Sequence, residues 1–257
     1  MAAAPEPGER IAKRLARAGL CSRREAERLI AAGRVELDGR VLSSAAVNVD
    51  AASLIVVDGR PLPAPEPARL WRYHKPRGLV TSHRDPQGRA TVFERLPKGL
   101  PRVISVGRLD LNSEGLLLLT NDGALARRLE SPATAWLRRY RVRVFGAVDE
   151  ARLARLAEGL SLDGTAYGPI SARLDSRRGG NAWLTVSLAE GRNRELRRVL
   201  GHLGLTVNRL IRTAFGPFQL GKLGRGEVRE VPPRVLAEQL GRGWREGAAR
   251  GHAHRRR

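Results

Sequence analysis

The stretch GRLDLNSEGLLLLTNDG, Gly107 to Gly123, decides how the rest of this chain is read. Its run of leucines, Leu116 to Leu119, is short and unbroken, which marks a buried strand rather than a helix with one apolar stripe. RVISV, Arg102 to Val106, reads as a strand entering the segment. NDG then turns into ALARRLES, Ala124 to Ser131, a short helix. Asp110 therefore falls in a loop between two core strands, next to Arg108. An acid there has four ordinary duties: turn former, helix cap, partner of an arginine, or metal ligand together with Glu114 and Asp122. A fifth is chemistry, if the core edge holds the carboxylate against a cation.

The composition says what such a loop faces. The chain has 257 residues, enough for one large domain plus a small one, and 42% are apolar. Aromatic residues make up only 4%, so aliphatic side chains must fill the core. Its 47 basic against 26 acidic residues leave a formal charge of +21, which favours a polyanionic partner. Nucleic acid leads and an anionic membrane surface comes second. Arginine outnumbers lysine 43 to 4, so part of the excess can reflect genome composition. Cys21 is the sole cysteine, which excludes a disulfide framework and a cysteine-rich zinc site and permits a reducing compartment. MAAAPEPGERIAKR lacks the apolar stretch of a signal peptide. No segment approaches the ~18 apolar residues of a membrane span. A soluble, cytoplasmic protein is expected.

Residues 8–57 read as a compact module. Ile11, Leu15 and Ala18 recur at helical spacing, with Arg10, Lys13, Arg14 and Arg17 on the other faces. Ser22, with Glu25 three residues on, forms a capping-box pattern; Ala26, Leu29 and Ile30 then supply the apolar stripe, and Gly33 suits the helix end. Asp38-Gly39 lies between two β-prone runs, a strong hairpin signal, and LIVVDGR adds another strand. Residues 58–69, DGRPLPAPEPAR, read as a proline-rich linker. From Leu70 to about Leu240 strand-like and helix-like stretches alternate, and residues 241–257 read as a disordered basic tail.

On residues alone, the arginines of the small module can be no more than the wet side of amphipathic helices. RIAKRLARAGLCSRREAERLIAAGRVELDGRVL, however, resembles the S-four RNA-binding module. The likeness implies phosphate contacts among Arg10, Lys13, Arg14, Arg23, Arg24 and Arg34. GRLDLNSEGLLLLTNDG resembles the active-site motif of pseudouridine synthases that modify ribosomal RNA. YHKPRGLVTSHRDPQGRATVFERLP, RRYRVRVFG, EGRNRELRRVLGHLG and RLIRTAFGPFQLGKLGRGEVREV each resemble family segments, in the family's order.

This resemblance implies an α+β fold: the small helix-rich module, then a synthase domain on a mixed, largely antiparallel sheet with flanking helices. It implies an isomerase, working as a monomer without cofactor or metal, that converts a uridine of large-subunit ribosomal RNA or its assembly intermediate to pseudouridine. Asp110 falls on the family's catalytic aspartate and Arg197 on the cation beside it. Leu196, Val199, Leu200 and Leu203 mark one helical face that Arg197 adjoins. Tyr140 is the remaining polar match; it shares a strand face with Val142 and Val144, with arginines on the other face. Leu223 corresponds to a motif lining the base pocket, and Arg108 to the residue that fills the space left by a flipped nucleotide. In HKPRG, Lys75 and Arg77 are expected to reach phosphate, as are Arg192, Arg194 and Arg198. Three alternatives stand against this reading: a small-subunit target, a non-catalytic ribosome-assembly factor, and a metal-dependent nuclease built on Asp110, Glu114 and Asp122.

Overall fold

A computed structural model describes residues 8–241; the remainder of the expected basic tail lies outside the described residues. In the small module β1 (Glu9–Arg10) leads into α1 (Ile11–Arg17), and α2 (Arg23–Ala31) follows. Ser22 Oγ accepts the Glu25 N–H at 3.1 Å, while the Glu25 carboxylate takes a bond from Arg28, so only one half of the capping box forms. Strands β2 (Val35–Leu37) and β3 (Arg40–Val41) turn through Asp38 and Gly39, both at positive φ (50° and 80°), as a two-residue hairpin requires. Next, β4 (Asn48–Val49) pairs with β1, and β5 (Ile55–Val57) with β2. Ile11, Leu15, Ala26, Ile30 and Val35 form the core beneath the sheet.

The module reaches further than the composition indicates. Asp58 and Gly59 make a second positive-φ turn into β6 (Arg60–Pro61), and Leu62 packs on the module's core. Proline is tolerated in β6 because the strand lies at the sheet edge. The first residues of the supposed linker therefore belong to the folded module.

The larger domain begins with β7 (Leu70–Lys75), β8 (Ile104–Val106), β9 (Glu114–Thr120) and α3 (Gly123–Glu130). It continues with β10 (Arg138–Phe145), α4 (Glu150–Arg155), β11 (Leu160–Leu162), β12 (Thr165–Tyr167), β13 (Ile170–Arg178) and β14 (Asn181–Leu188). After α5 (Glu195–His202) come β15 (Thr206–Phe215), β16 (Phe218–Gln219), β17 (Val228–Glu230) and α6 (Pro233–Leu240). The main sheet runs β13-β14-β10-β15-β9-β7-β17, with β8 against β9 and β16 against β15. Every pairing in it is antiparallel except β15 with β9. Among the described residues no helix is long and apolar enough to cross a membrane.

The leucine run explains the layering. Leu116 and Leu118 point into a cluster with Val106, Leu125, Leu129 and Phe215, under α3 and α6. Leu117 and Leu119 point into another, with Trp71, Tyr73, Val103 and Leu109. A strand buried on both faces needs no polar alternation, hence four leucines in a row. The other half of the sheet is covered on one face only, where α4 and α5 bring Leu153, Leu196, Val199 and Leu200 against Val142, Val144 and Leu184.

The two halves meet at a waist. The parallel pairing of β15 with β9 consists of Ile211 with Glu114 and Arg212 with Gly115. Gly115 sits at φ +104°, and a Cβ there would lie 2.3 Å from the Arg212 carbonyl oxygen and 2.7 Å from its nitrogen. No side chain fits between the strands at this point. Gly115→Ala is expected to destabilise the chain by about 3 kcal/mol through backbone strain and overpacking, lowering Tm by roughly 10 °C. A thermal melt of the variant checks it; an unchanged Tm contradicts the tight junction.

Candidate active site

Asp110 lies four residues before the waist, in the loop that joins β8 to β9. The backbone of this loop is held by the end of β7 and the segment following it. Lys75 Nζ donates to the carbonyls of Asp110 (3.1 Å), Ser113 (2.9 Å) and Pro76 (3.1 Å). Thr81 Oγ1 donates to the Leu109 carbonyl at 2.8 Å, and the Gly78 N–H donates to that of Leu111 at 2.8 Å. Leu109 is buried and anchors the loop in the Tyr73 cluster, while Arg108 before it is exposed and Asp110 after it is partly exposed. Asp110 thus stands at the edge of the core, as its place between two buried strands implied.

Lys75 corrects one sequence expectation. Its side chain is fully buried, and its three donors face three carbonyls, so it is scaffold for the Asp110 loop and not a phosphate contact. Burial pushes its ammonium down to about 8, with Asp110 and Glu114 acting in the opposite sense. Arg77, two residues on, remains exposed.

Arg197 crosses the split between the two half-sheets. From α5 it donates Nη1–H to the Val207 carbonyl of β15 at 2.9 Å and Nη2–H to the Asn112 carbonyl of the Asp110 loop at 3.2 Å. Burial and the neighbouring Arg194 and Arg77 lower its affinity for the proton, and Asp110 acts against them. The two side chains share an electrostatic neighbourhood without a direct ion pair. Tyr140 is partly buried on β10 and packs against both the Leu109 cluster and the α5 cluster, on the opposite wall of the same split.

Two groups at the waist escape a reading of local sequence. Arg212 stands opposite Tyr140 in the β10–β15 register, is buried, and donates Nε–H to the Leu116 carbonyl at 2.7 Å; its Nη2 is buried without a partner. Burial drives its guanidinium below the ordinary value, while the Tyr140 hydroxyl favours the charge. Glu114, also buried, receives Arg209 through both carboxylate oxygens at 2.6 and 3.2 Å and has Arg225 at 3.5 Å. Burial pushes the Glu114 carboxyl up, but the bonds and charges of Arg209 and Arg225 more than offset this and leave it below the usual range. Asp122, for its part, caps α3 through the N–H groups of Ala124 and Leu125, both at 2.7 Å. The three acids of the nuclease alternative are therefore divided among separate duties, and Asp110 is the one that no described cation or helix end claims.

The remaining candidates fall into groups. Arg192, Arg194 and Arg198 are exposed around the start of α5, and Arg192 is paired with Glu190 at 2.6 Å. Leu223 is buried with Leu116 and Leu118, in the cluster on the face of β9 away from Leu109 and Tyr140; its carbonyl accepts from His74 Nδ1 at 2.7 Å. In the small module Arg10, Arg23 and Arg24 are exposed and have no carboxylate partner among the described residues. Lys13 and Arg14 share Glu9, at 3.4 and 3.7 Å, and Arg34 is held by Asp58 at 2.7 and 2.6 Å. Hollows of about 390 Å³ beside Trp136 and about 480 Å³ beside Phe145 do not include Asp110. Asp110 itself is partly exposed, at the surface of the loop between β8 and β9.

Known proteins agree with this division of the chain. Residues 69–202 match the family model of RNA pseudouridylate synthase, and residues 9–55 match that of the S4 domain. An uncharacterized RNA pseudouridine synthase of Rickettsia prowazekii is 48% identical over 231 residues, covering 90% of this chain and 97% of the relative. The ribosomal large subunit pseudouridine synthase B of Yersinia pestis is 45% identical over 234 residues, covering 87% and 73% respectively. A solved pseudouridylate synthase superposes with a TM-score of 0.63 at 28% identity, over 91% of this chain and all of the other. With a family match over more than half its length, the chain belongs to the RNA pseudouridine synthases and carries an S4 domain ahead of its catalytic domain.

Proposed function

We propose that this enzyme isomerises a uridine of large-subunit ribosomal RNA, with Asp110 as the residue that meets the reacting nucleotide. The observation carrying the proposal is the Asp110 loop itself: its backbone is locked by Lys75, Thr81 and Arg197, yet its carboxylate is left without a structural partner. The large-subunit target rests on the likeness to synthase B of Yersinia pestis. The reaction breaks the N1–C1′ bond, turns the base, and joins C5 to C1′; the C5 proton departs and N1 gains one. Atoms and electrons balance within the nucleotide, and a carboxylate suffices as nucleophile toward C1′ or as base toward the sugar.

The cations have distinct parts in this scheme. Arg197, Arg194 and Arg77 put positive charge around the Asp110 loop, which attracts the phosphates on either side of the target. A flipped base that covers the cleft completes the burial the free protein lacks, and Tyr140 forms the wall it stacks on. Arg108, exposed beside Asp110, occupies the place the nucleotide leaves. Arg10, Arg23 and Arg24 hold the RNA at the small module. The enzyme works as a soluble cytoplasmic monomer on ribosomal RNA or an assembly intermediate.

Asp110→Asn is expected to abolish pseudouridine formation while the Kd for ribosomal RNA stays within about threefold, because phosphate contacts carry the affinity. Pseudouridine mapping of both ribosomal subunits, in cells with and without this protein, checks activity and target together. A site lost from the small subunit alone overturns the target, and full turnover by Asp110→Asn overturns the role of the carboxylate.

Lys75 makes activity depend on pH. Below about 8 its ammonium satisfies three carbonyls; above that value the amine has one donor fewer and the loop loosens. Between about 8 and the ordinary 10.5 the unfolded chain binds a proton that the folded chain has released, so this group's contribution to stability rises with pH across the window. Turnover is therefore expected to fall through pH 8 without a matching loss of Tm. Lys75→Met should lose at least about tenfold in kcat at neutral pH and the alkaline limb with it, because misplaced catalytic groups are costly even when an apolar isostere of a buried charge folds well. A pH–rate profile with unchanged alkaline limb in Lys75→Met contradicts this role.

In the small module, replacing Arg10, Arg23 and Arg24 together by Gln should flatten the slope of log K against log salt by about 2, as expected for three lost phosphate contacts. Equilibrium binding at several salt concentrations reads this out; an identical slope assigns the module another task.

A further inference from the structure

The half of the sheet that carries Tyr140 on its covered face has an open opposite face, and that face is basic. Arg139, Arg141 and Arg143 project from β10 into solvent, and none has a carboxylate partner among the described residues. The register places Arg173 of β13, Thr185 of β14 and Arg141 in one row, and Trp183, Arg143 and Arg209 in the next. Arg143 stands directly opposite Arg209 on the neighbouring strand; Arg209 is already neutralised by Glu114, so the uncompensated charge of this pair is that of Arg143. An ordinary wet face interleaves both signs; here the acids are Asp175, 3.0 Å from Arg173, and Glu114, 2.6 Å from Arg209.

Trp183 gives the face its form. The Arg141 guanidinium lies over its ring at 4.6 Å and that of Arg209 at 6.0 Å. A guanidinium laid on an indole keeps its N–H edge free and loses less freedom on binding than a free side chain. The surface also joins the cleft, since Arg209 is bonded to Glu114, four residues beyond Asp110.

We propose that this open face is a second RNA-binding surface, across which a single-stranded stretch of the substrate runs with its phosphates on Arg141, Arg143 and Arg173. The proposal rests on RNA being the substrate. Single-stranded RNA is the chemistry that fits, because flat guanidinium groups accept both stacked bases and phosphate oxygens.

The test uses the full chain with Arg141, Arg143 and Arg173 changed together to Gln, and two probes: a mixed-sequence single-stranded oligoribonucleotide and a large-subunit ribosomal RNA fragment. For both, the slope of log K against log salt should become shallower by about 2, three contacts at about 0.7 each, with Kd at physiological salt raised about tenfold or more. The kcat at saturating fragment and the Tm should stay at wild-type values. Trp183→Leu, which frees Arg141 from its ring, should weaken binding in the same direction. Unchanged slope and Kd in the triple variant overturn the proposal, even if the wild type forms pseudouridine normally. A triple variant that keeps RNA affinity but loses binding to anionic phospholipid vesicles reassigns the face to a membrane and overturns it as well. If the wild type modifies no ribosomal RNA while the triple variant still shows the shallower slope, the surface stands and the assigned reaction falls.

Discussion

The close approach of Gly115 to the Arg212 backbone is the constraint on which the molecule depends. It joins two half-sheets that otherwise part company: β9 goes on to pair with β8, and β15 with β16. Because the join is only two residue pairs long, the chain can open a cleft beside it without leaving an unpaired strand in the core. The Asp110 loop enters that opening from one half, and Val207 of β15 borders it from the other. Arg197 ties the two sides by their carbonyls. The shape of the Asp110 loop is therefore set by both halves together.

Electrostatics around the junction follow from the same geometry. Two cations, Lys75 and Arg212, are buried there without carboxylate partners; Lys75 is met by three backbone carbonyls, whereas Arg212 has the Leu116 carbonyl and a buried Nη2 left without a partner. The one buried acid nearby, Glu114, is claimed by Arg209 and Arg225. Isolated buried charges are costly, so holding Lys75 and Arg212 at the junction works against the stability of the fold. Asp110 enters this arrangement through its backbone carbonyl, which accepts from Lys75, and not through an ion pair.

Local pattern and long-range packing divide what could be read from the chain. Leu116 to Leu119 announced a strand with two buried faces, Asp38-Gly39 a hairpin and Ser22 a helix start, because each depends on residues within a turn or two. The strand from Arg138 to Phe145 was equally plain, with Val142 and Val144 inward and arginines outward. Asp110 needed the motif around it, since a loop acid by itself has several commoner duties. Lys75 was misjudged: beside a proline and an arginine it looks like a solvent-facing cation, and only the fold brings it beneath a loop some 35 residues away. Thr81 and Arg212 gave no local signal for the same reason. The end of the small module was hidden by Pro61, whose ring marks a linker in sequence but sits comfortably on an edge strand.

A narrow join also has a bearing on the order in which the molecule can become competent. Neighbouring strands such as β13 and β14 close by short hairpins, whereas Arg197 must reach from α5 to Asn112, some 85 residues away in the chain. Contacts of high sequence separation carry a larger loop-closure entropy. The aspartate loop cannot acquire its final shape before both halves have docked, while the arginines of the small module are displayed as soon as that module folds. Closure of the aspartate loop thus waits on contacts that the small module, whose core draws on residues 11–62 alone, does not need.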